Sequence, residues 1–389
     1  MTQVREKEVA RSASFKYRTI SEFSAALADK DAFGGKYELY PRDGSPALTR
    51  LEEHVAELVD AKEGGVLLFN SGMSAVVTAI ELASPKEGEA VIHGDQEYSQ
   101  VRGYINQDLK TERGVRSIEV DQGSLKEVDY RIKAFKPKLV LLETAANGTR
   151  MAFLDVKRFL ALKSLREANP LIILDNTLPT NSNYPLASFM RENPGLRIIG
   201  VESGTKFYAL NQELAGIAFT YNPEVFEQLQ RKRRKIGSIL GPSATEKIQS
   251  VIPPSKSEFD RANRLIAKNT YALAKVCLEA EKVNGKFNTG YPNLPNNPNK
   301  DVVNTYSPNG ISPVLFIESW EVKPAEINRA LWEDPVIREN ADLAQSFGLS
   351  RTSLSYNPDY RYVRVAGGME SPDQIAELQE AFYRVLSKI

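Results

Sequence analysis

Short apolar runs recur along the first half of the chain, and each of them ends at a polar residue. The runs are rich in Val, Ile and Leu and occupy residues 66–69, 90–92, 138–142, 171–174 and 197–201. Short runs without polar alternation are typical of strands that are buried on both faces of a sheet. Segments with helical spacing separate the runs. The pattern therefore predicts an α/β fold with a mostly parallel central sheet flanked by crossover helices.

The pattern changes on both sides of this region and divides the chain into three predicted parts. Residues 1–47 lack clear periodicity and end in a segment rich in Gly and Pro, which favours an N-terminal arm. An amphipathic helix that begins near Leu48 opens a large domain over residues 48–247. A smaller C-terminal α/β domain is predicted over residues 248–389.

Two segments are predicted to lie at the surface. Residues 284–310 contain eight Asn, four Pro and three Gly, a composition that predicts a long loop without helix or strand. The basic run at residues 231–235 is interpreted as a solvated helix face rather than a nucleic-acid patch. After the loop, residues 312–318 predict a strand and residues 374–386 predict a closing helix.

The charge balance narrows the class of protein. The chain has 389 residues, with 50 Lys and Arg against 50 Asp and Glu, so its formal net charge is zero. A protein that binds nucleic acid or an anionic membrane needs an excess of basic residues, so neither partner is expected. The single cysteine cannot form an intramolecular disulfide, and with only two histidines a His/Cys metal centre is not expected either. These features favour a cytoplasmic enzyme or binding protein without a metal.

The polar residues that end the apolar runs are the first candidates for chemistry, because parallel sheets bind ligands beyond the carboxyl ends of their strands. Gly72 and Met73 lie in a turn of small residues before a helix, where backbone N–H groups favour a phosphate. A simple strand-to-helix turn explains the same residues. Asp175 follows a buried strand and is interpreted either as an active-site acid or as the N-cap of the next segment.

Two basic residues complete the candidates. Lys206 follows a strand beside Ser203 and Thr205, and it is either a Schiff-base nucleophile with a lowered pKa or an ordinary surface lysine. Arg364 lies in a strand-like segment and suits a two-point contact with a carboxylate. Together, a phosphate-binding turn, an acid and a lysine on successive strand ends suit pyridoxal 5′-phosphate (PLP). This cofactor needs an amine, an acid for its ring nitrogen and a cradle for its phosphate.

These motifs resemble a known family, the PLP-dependent enzymes of Cys/Met metabolism, which include cystathionine gamma-synthase, the cystathionine gamma- and beta-lyases and methionine gamma-lyase. The matching motifs follow the family's order and occur at residues 40–46, 70–73, 175–177, 203–206, 291–294 and 362–370. Segment 40–46 is similar to the family's Tyr-x-Arg-x-x-Asn-Pro, and segment 203–206 resembles its lysine motif. The resemblance implies the PLP-dependent transferase fold, fold type I, with a smaller C-terminal domain.

The resemblance also implies roles for individual residues around the cofactor. Lys206 would hold PLP as a Schiff base and then move protons, and Asp175 would pair with the ring nitrogen. Tyr98 would stack on the ring and act as an acid toward the leaving group, and Asn147 would contact the phenolic oxygen and the substrate. The phosphate would be held by Gly72, Met73, Ser203 and Thr205.

Further roles implied by the resemblance concern the substrate and a neighbouring subunit. Arg364 would bind the α-carboxylate of the amino acid, with Ser346 nearby. Tyr40 and Arg42 would reach the phosphate in a neighbouring subunit, and Tyr40 would join Lys206 among the catalytic residues. A homodimer would then be the smallest active unit, and a homotetramer is expected.

Three stretches depart from the family's pattern. After Lys206 the family reads Tyr-x-x-Gly-His-x-Asp, whereas residues 207–213 read Phe-Tyr-Ala-Leu-Asn-Gln-Glu. Residues 99–102 replace a Gly-containing segment, and Gln345 stands where cystathionine-cleaving relatives often have Glu. The polar newcomers are Gln100, Arg102, Asn211 and Gln345. They motivate the hypothesis that the substrate carries a γ-leaving group other than plain cystathionine, and neutral drift explains the same changes.

The function predicted from these residues is a PLP-dependent elimination or replacement at the γ or β carbon of an amino acid. A lyase and a γ-synthase share this path, and the sequence does not separate them. Two alternatives remain at this point, an aminotransferase-type enzyme on the same scaffold and a non-catalytic partner protein with the PLP fold. The joint presence of Lys206, Asp175, Tyr98 and Arg364 argues against the second alternative.

Overall fold

The computed structural model describes Tyr17, Tyr40, Arg42 and residues 19–28, 44–357 and 360–389. Its helices are α1 (Ile20–Ala28), α2 (Pro46–Leu58), α3 (Gly72–Ala83), α4 (Ser99–Tyr104), α5 (Leu125–Phe135), α6 (Val156–Leu160), α7 (Lys163–Ala168), α8 (Thr180–Asn183), α9 (Leu186–Arg191), α10 (Pro223–Ile236), α11 (Pro242–Gln249), α12 (Lys256–Asn284), α13 (Lys300–Tyr306), α14 (Pro324–Glu333), α15 (Pro335–Asn340) and α16 (Pro372–Leu386), and a π-helix (Ile105–Glu112) continues α4.

The strands form two sheets. They are β1 (Gly65–Phe69), β2 (Ala90–Gly94), β3 (Arg116–Val120), β4 (Leu139–Glu143), β5 (Leu171–Asp175), β6 (Ile198–Ser203), β7 (Gly216–Thr220), β8 (Asn288–Gly290), β9 (Val314–Glu318), β10 (Ala341–Leu343), β11 (Thr352–Tyr356) and β12 (Tyr362–Ala366). The first sheet has the order β1-β7-β6-β5-β4-β2-β3, and the second has the order β10-β11-β12-β9-β8.

The seven-stranded sheet is parallel from β6 to β3, and β7 runs antiparallel to both of its neighbours. All residues of β2 and β4 are buried, because helices cover both faces of the sheet. The predicted parallel sheet is therefore confirmed. Two strands of this sheet were not predicted. Strand β3 is a half-exposed edge, and β7 is rich in small residues.

Close packing explains the composition of β7. A Cβ atom on Gly216 would lie 2.1 Å from the carbonyl oxygen of Ser71, which precedes α3. Only glycine lets β7 pass the start of that helix, and this approach brings β7 and α3 together behind the predicted phosphate turn.

The interpretation of residues 284–310 as a long surface loop is wrong. The segment contains β8 and α13, and Tyr291 and Leu294 are fully buried. Asparagine side chains take the place of regular backbone bonds. Asn293 Nδ2, for example, donates to the Asn304 side chain at 2.8 Å and to the Ser307 carbonyl at 2.7 Å. A composition rich in Asn and Pro thus marks irregular but buried chain here.

The basic run at residues 231–235 lies in α10, as predicted, but only part of it is solvated. Arg233 is buried, and its guanidinium donates to Glu52 at 2.5 Å and to the Leu68 carbonyl at 2.7 Å. Arg233 lies one helical turn after the buried Leu229, so it shares the inner face of the helix.

One core contains apolar side chains from both sheets, among them Val140 and Ile172 of the first and Leu315 and Val363 of the second. A second apolar cluster, which includes Leu141 and Ile173, lies on the other face of the first sheet. The predicted arm over residues 1–47 lies largely outside the described residues, although residues 20–28 form α1. The domain boundary near residue 248 stays a prediction. Within the described ranges, no helix is long and apolar enough to cross a membrane.

Candidate active site

A cavity of about 270 Å³ lies at the carboxyl ends of β4, β5 and β6. Its lining includes most of the residues predicted from the sequence, namely Gly72, Met73, Tyr98, Asn147, Asp175, Ser203, Thr205, Lys206 and Arg364. All of these residues except Arg364 end or follow strands of the first sheet, whose parallel members end at one edge, and Arg364 comes from the second sheet. Side chains that the chain separates by almost 300 residues therefore share one site.

The start of α3 forms one end of the cavity. Ser71 Oγ caps the helix by accepting the Ser74 N–H at 3.0 Å. Ser74 Oγ in turn accepts the Ser71 N–H at 3.2 Å. Gly72 and Met73 follow as the first helical residues, whose backbone N–H groups have no acceptor within a helix. A Cβ on Gly72 would lie 3.3 Å from Ser203 Cβ. The helix end is thus packed against β6 with N–H groups available for an anion.

Asp175 ends β5 and is half-buried against the cavity. Its carboxylate accepts the Thr177 N–H at 2.8 Å. Withdrawal from water raises the pKa of Asp175, and the hydrogen bonds from Thr177 act in the opposite direction. Among the described residues no lysine, arginine or histidine forms an ion pair with Asp175. A cation placed against this carboxylate would therefore be favoured.

Lys206 reaches the cavity from the segment after β6. Its Nζ donates to Ser346 Oγ at 3.0 Å and lies 5.3 Å from the centre of the Phe347 ring. Burial lowers the pKa of Lys206, and the positive charge of Arg364 lowers it further. Of the two interpretations open for this lysine, the geometry favours the nucleophile with a lowered pKa over the surface residue.

Ser203 and Thr205, which precede Lys206, have fewer free polar groups for a phosphate than predicted. The Thr205 hydroxyl already donates to the Ala215 carbonyl at 3.3 Å and accepts its N–H at 3.1 Å. The Ser203 N–H donates to the Thr177 hydroxyl at 2.8 Å. In both residues some of the polar groups are thus occupied by the protein itself, which leaves the hydroxyl of Ser203 as the freer group.

Glu143, which ends β4, was not predicted as a site residue. One carboxylate oxygen accepts the Tyr98 N–H at 2.7 Å, and the other accepts the Asn147 N–H at 2.6 Å. Glu143 therefore joins two loops that carry candidate cofactor contacts. Burial and the nearby carboxylate of Asp175 raise the pKa of Glu143 to about 8. The only signal in the sequence was its place at the end of an apolar run.

Glu202 on β6 is a second buried carboxyl that sequence reasoning missed. It accepts hydrogen bonds from Asn176 Nδ2 at 3.1 Å, from Asn181 Nδ2 at 2.9 Å and from the Tyr208 hydroxyl. Burial raises the pKa of Glu202 to about 7, although these donors favour the ionised form. The donors tie together the segments that follow β5 and β6.

Arg364 on β12 closes the cavity from the second sheet. Its Nη2 donates to the Gln345 carbonyl at 2.7 Å, and burial lowers the pKa of the guanidinium. No described carboxylate forms an ion pair with it. Arg364 thus presents unused donors to the cavity, as a contact for a substrate carboxylate requires.

The predicted contacts from the arm lie elsewhere. Tyr40 and Arg42 are exposed, the guanidinium lies 5.2 Å from the centre of the tyrosine ring, and neither residue lines the cavity. Their predicted role concerns a neighbouring subunit, so it stays a prediction. Ser346 accepts a hydrogen bond from Lys206 but lines neither cavity, so its predicted place near the substrate stays a prediction.

A second, wider cavity of about 600 Å³ adjoins the first. The two share Tyr98, Asn147, Gln345 and Arg364 in their linings. The second cavity is lined by two of the four polar newcomers, Gln100 and Arg102, in addition to the shared Gln345, and its far wall carries Trp320, Tyr356, Tyr360 and Tyr362. Within the described part of the chain, no group of three or more His, Cys, Asp or Glu residues is arranged to hold a metal ion.

Comparison with known proteins decides the family. The sequence profile of the Cys/Met metabolism PLP-dependent enzymes matches residues 1–356. The chain belongs to this family.

Two curated relatives match part of the chain at moderate sequence identity. Cystathionine beta-lyase MetC of Bacillus subtilis is 32% identical over 209 residues, which are 53% of this chain and 49% of the relative. The mimosinase of Leucaena leucocephala is 28% identical over 284 residues, 72% of this chain and 58% of the relative. The matched region thus spans about half the length of these curated relatives.

A solved structure shows the same fold. The cystathionine gamma synthase of Xanthomonas oryzae pv. oryzae, determined with aminoacrylate and cysteine, superposes with a TM-score of 0.74 at 18% identity. The superposition covers 97% of this chain and 92% of the other. The predicted PLP-dependent transferase fold of type I is confirmed.

The residues of the cavity fit PLP, the cofactor that gives the family its name. The N–H groups that begin α3 suit its phosphate, and the uncompensated carboxyl of Asp175 suits a protonated ring nitrogen. Lys206 supplies an amine with a lowered pKa. The donor set therefore contains each of the three elements that PLP needs.

Proposed function

We propose that this family member catalyses a PLP-dependent elimination or replacement at the γ or β carbon of an amino acid. The observation that carries the proposal is one cavity whose lining contains Lys206, Asp175 and Arg364 together. PLP, when bound, supplies the sink for electrons released at Cα. The rest of the chemistry falls to side chains of the protein.

Each of these side chains has a distinct task in the proposal. Arg364 binds the α-carboxylate and so orients the Cα–H bond toward the amine of Lys206. Lys206 accepts the proton from Cα, and its lowered pKa keeps a larger share of the amine neutral for this step. Asp175 holds the ring nitrogen protonated. Tyr98, whose backbone N–H is held by Glu143, donates a proton to the leaving group in this proposal.

The wider cavity supports the hypothesis that the substrate is not plain cystathionine. Gln100, Arg102 and Gln345 line the space next to Arg364, so a side chain bound there meets polar groups and an arginine. Asn211 lines neither cavity. In this hypothesis the leaving group is a polar substituent other than the cysteine of cystathionine, and only the substrate panel separates the two.

A panel of amino acids tests both the proposed reaction class and the hypothesis about the leaving group. The PLP-loaded protein is incubated with O-acyl-homoserines, cystathionine, methionine and canavanine, and release of ammonia and 2-oxo acid is measured with and without an added thiol. Turnover of any of them supports elimination or replacement. Preference for cystathionine over all the others would sink the hypothesis about the leaving group. Conversion of PLP to pyridoxamine phosphate would instead identify an aminotransferase.

The assembly and location belong to the same proposal. We infer a homodimer as the smallest active unit and a homotetramer as the complete enzyme, with Tyr40 and Arg42 reaching the phosphate site of a neighbour. The single buried cysteine agrees with a cytoplasmic location. Light scattering would give the mass of the assembly. Mixing the inactive variants Tyr40→Ala and Lys206→Ala should restore part of the activity if the site is shared.

A further inference from the structure

Asn211 lies outside the cavity, but Ser346 links it by hydrogen bonds to Lys206, which lines the cavity. Its side-chain oxygen Oδ1 accepts a hydrogen bond from the Ser346 hydroxyl at 2.7 Å. Ser346 Oγ in turn accepts a hydrogen bond from the Lys206 amine at 3.0 Å. One chain of two hydrogen bonds therefore leads from Asn211 to the amine.

The backbone holds Asn211 firmly in this place. Its N–H donates to the Thr205 carbonyl at 2.8 Å, so the chain folds back on the residue before Lys206. Its Nδ2 donates to the Phe347 carbonyl at 3.0 Å, which leaves Oδ1 facing Ser346. Asn211 has a φ of 59°, in the left-handed region that asparagine tolerates better than most residues.

The direction of these bonds matters for a lysine that acts as a base. A serine hydroxyl has one proton and can donate it either to Asn211 or to the lone pair of the neutral amine. While Asn211 accepts it, the lone pair of Lys206 is left free for the substrate. A donated hydrogen bond would instead stabilise the neutral amine and lower its basicity.

We propose that Asn211 is a positioning residue, which orients the Ser346 hydroxyl so that the lone pair of Lys206 stays available for proton transfer. The part of this proposal that concerns turnover rests on the proposed function, whereas the orientation of the hydroxyl does not. The charged and titratable residues that line the cavity with Lys206 are Tyr98, Glu143, Asp175, Glu202 and Arg364, and they are unchanged in the variants below.

Two substitutions at position 211 make opposite predictions. Asn211→Gly removes the acceptor and keeps the left-handed backbone without strain. The freed Ser346 proton then binds the lysine lone pair, so the pKa of Lys206 falls and kcat falls by about tenfold. Asn211→Asp keeps an acceptor and adds a negative charge two hydrogen bonds from the amine. The pKa of Lys206 should then rise by about one pH unit.

The pKa of Lys206 is measured in two ways. The rate at which the cofactor-free protein reacts with PLP is followed by visible absorbance across a range of pH, because only the neutral amine reacts. The acidic limb of kcat is then followed with whichever substrate the amino-acid panel identifies. Absence of turnover with normal PLP attachment would refute the proposed function, and the first measurement would still test Asn211.

A double-mutant cycle separates positioning from general damage. In a Ser346→Ala background, Asn211→Gly and Asn211→Asp should produce no further shift, since the hydroxyl through which they act is gone. Asn169→Gly is the matched control, because Asn169 also has a left-handed backbone, with a φ of 47°, and lies at the end of α7 outside both cavities. Shifts of the same sign in both Asn211 variants, no shift in either, or full shifts without Ser346 would overturn the proposal.

Discussion

The two walls of the cavity are built differently. On the wall formed by β4, β5 and β6, buried carboxyls each accept several hydrogen bonds, as Glu143 and Glu202 do. The facing wall comes from the second sheet and its loops, where Gln345 is exposed and Arg364 has one hydrogen bond to a carbonyl. The difference suggests a division of labour, in which the first wall fixes the cofactor and the second selects the substrate.

The largest expected effect comes from the first wall. Lys206→Ala should abolish the visible absorbance of lysine-bound PLP and lower turnover by more than about 10³-fold, because the amine both attaches the cofactor and moves the proton. Absorbance spectra and steady-state rates measure this. The exposed Lys235 provides the control, and Lys235→Ala should change neither. A normal spectrum in Lys206→Ala would place the cofactor on another lysine.

A substitution in the second wall should change substrate binding and leave cofactor binding unchanged. Arg364→Lys keeps the charge but loses the planar fork, so KM for the amino acid should rise by about 10²-fold while the absorbance of bound PLP stays the same. Arg338→Lys, at an exposed position on α15, is the matched control. A changed cofactor spectrum in Arg364→Lys would break the division between the walls.

A smaller effect is expected where the first wall holds two loops. In Glu143→Gln an amide N–H₂ would face either the Tyr98 or the Asn147 N–H, so one loop is released. Misplacement of these groups should lower kcat by about tenfold to 10²-fold and weaken PLP affinity. Rates and PLP titrations measure both. Glu119→Gln on β3 should leave them unchanged, and a change in KM alone for Glu143→Gln would assign this carboxyl to substrate selection.

The smallest effect concerns stability. Burial raises the pKa of Glu202 from 4.5 to about 7, so between these values the folded chain binds a proton that the unfolded chain has released. The free energy of unfolding should therefore fall as the pH rises through this window, by at most roughly 3 kcal/mol, and then level off.

Glu202→Gln should remove this contribution in urea unfolding experiments and leave the part that Glu143 contributes, because the pKa of Glu143 is also raised. Glu87→Gln, at an exposed position before β2, should retain the full dependence. Persistence of the full slope in Glu202→Gln would assign the pH dependence to other carboxyls, of which Glu143 is the first candidate.

The same contrast explains what the sequence predicted. Runs buried on both faces are visible as continuous apolar segments, so β4, β5 and β6 were predicted together with Asp175 and Lys206 at their ends. Strand β3 was missed because one face is open to solvent, and segment 284–310 was misjudged because its buried order depends on side-chain bonds between residues far apart.

Site residues were predictable where their residue type alone indicates the chemistry. They were less predictable where their role depends on hydrogen-bond partners that are distant in the chain. Glu143 and Glu202 end predicted strands, yet nothing in their spacing revealed which N–H groups they would accept. Asn211 was noticed as a polar newcomer, but its bond to Ser346 joins positions that are 135 residues apart. The roles of Tyr40 and Arg42 depend on a second copy of the chain and stay predictions.

The lone cysteine offers a practical consequence of the continuous core. Cys277 lies in α12 with no exposed surface, and burial raises the pKa of its thiol. A thiol reagent can reach it only when α12 separates from the core that both sheets share. Since the chain has no other thiol, the rate of labelling reports how often α12 separates from this core. The wild-type protein thus reports its own opening through the labelling rate of Cys277, and loading it with PLP should lower that rate.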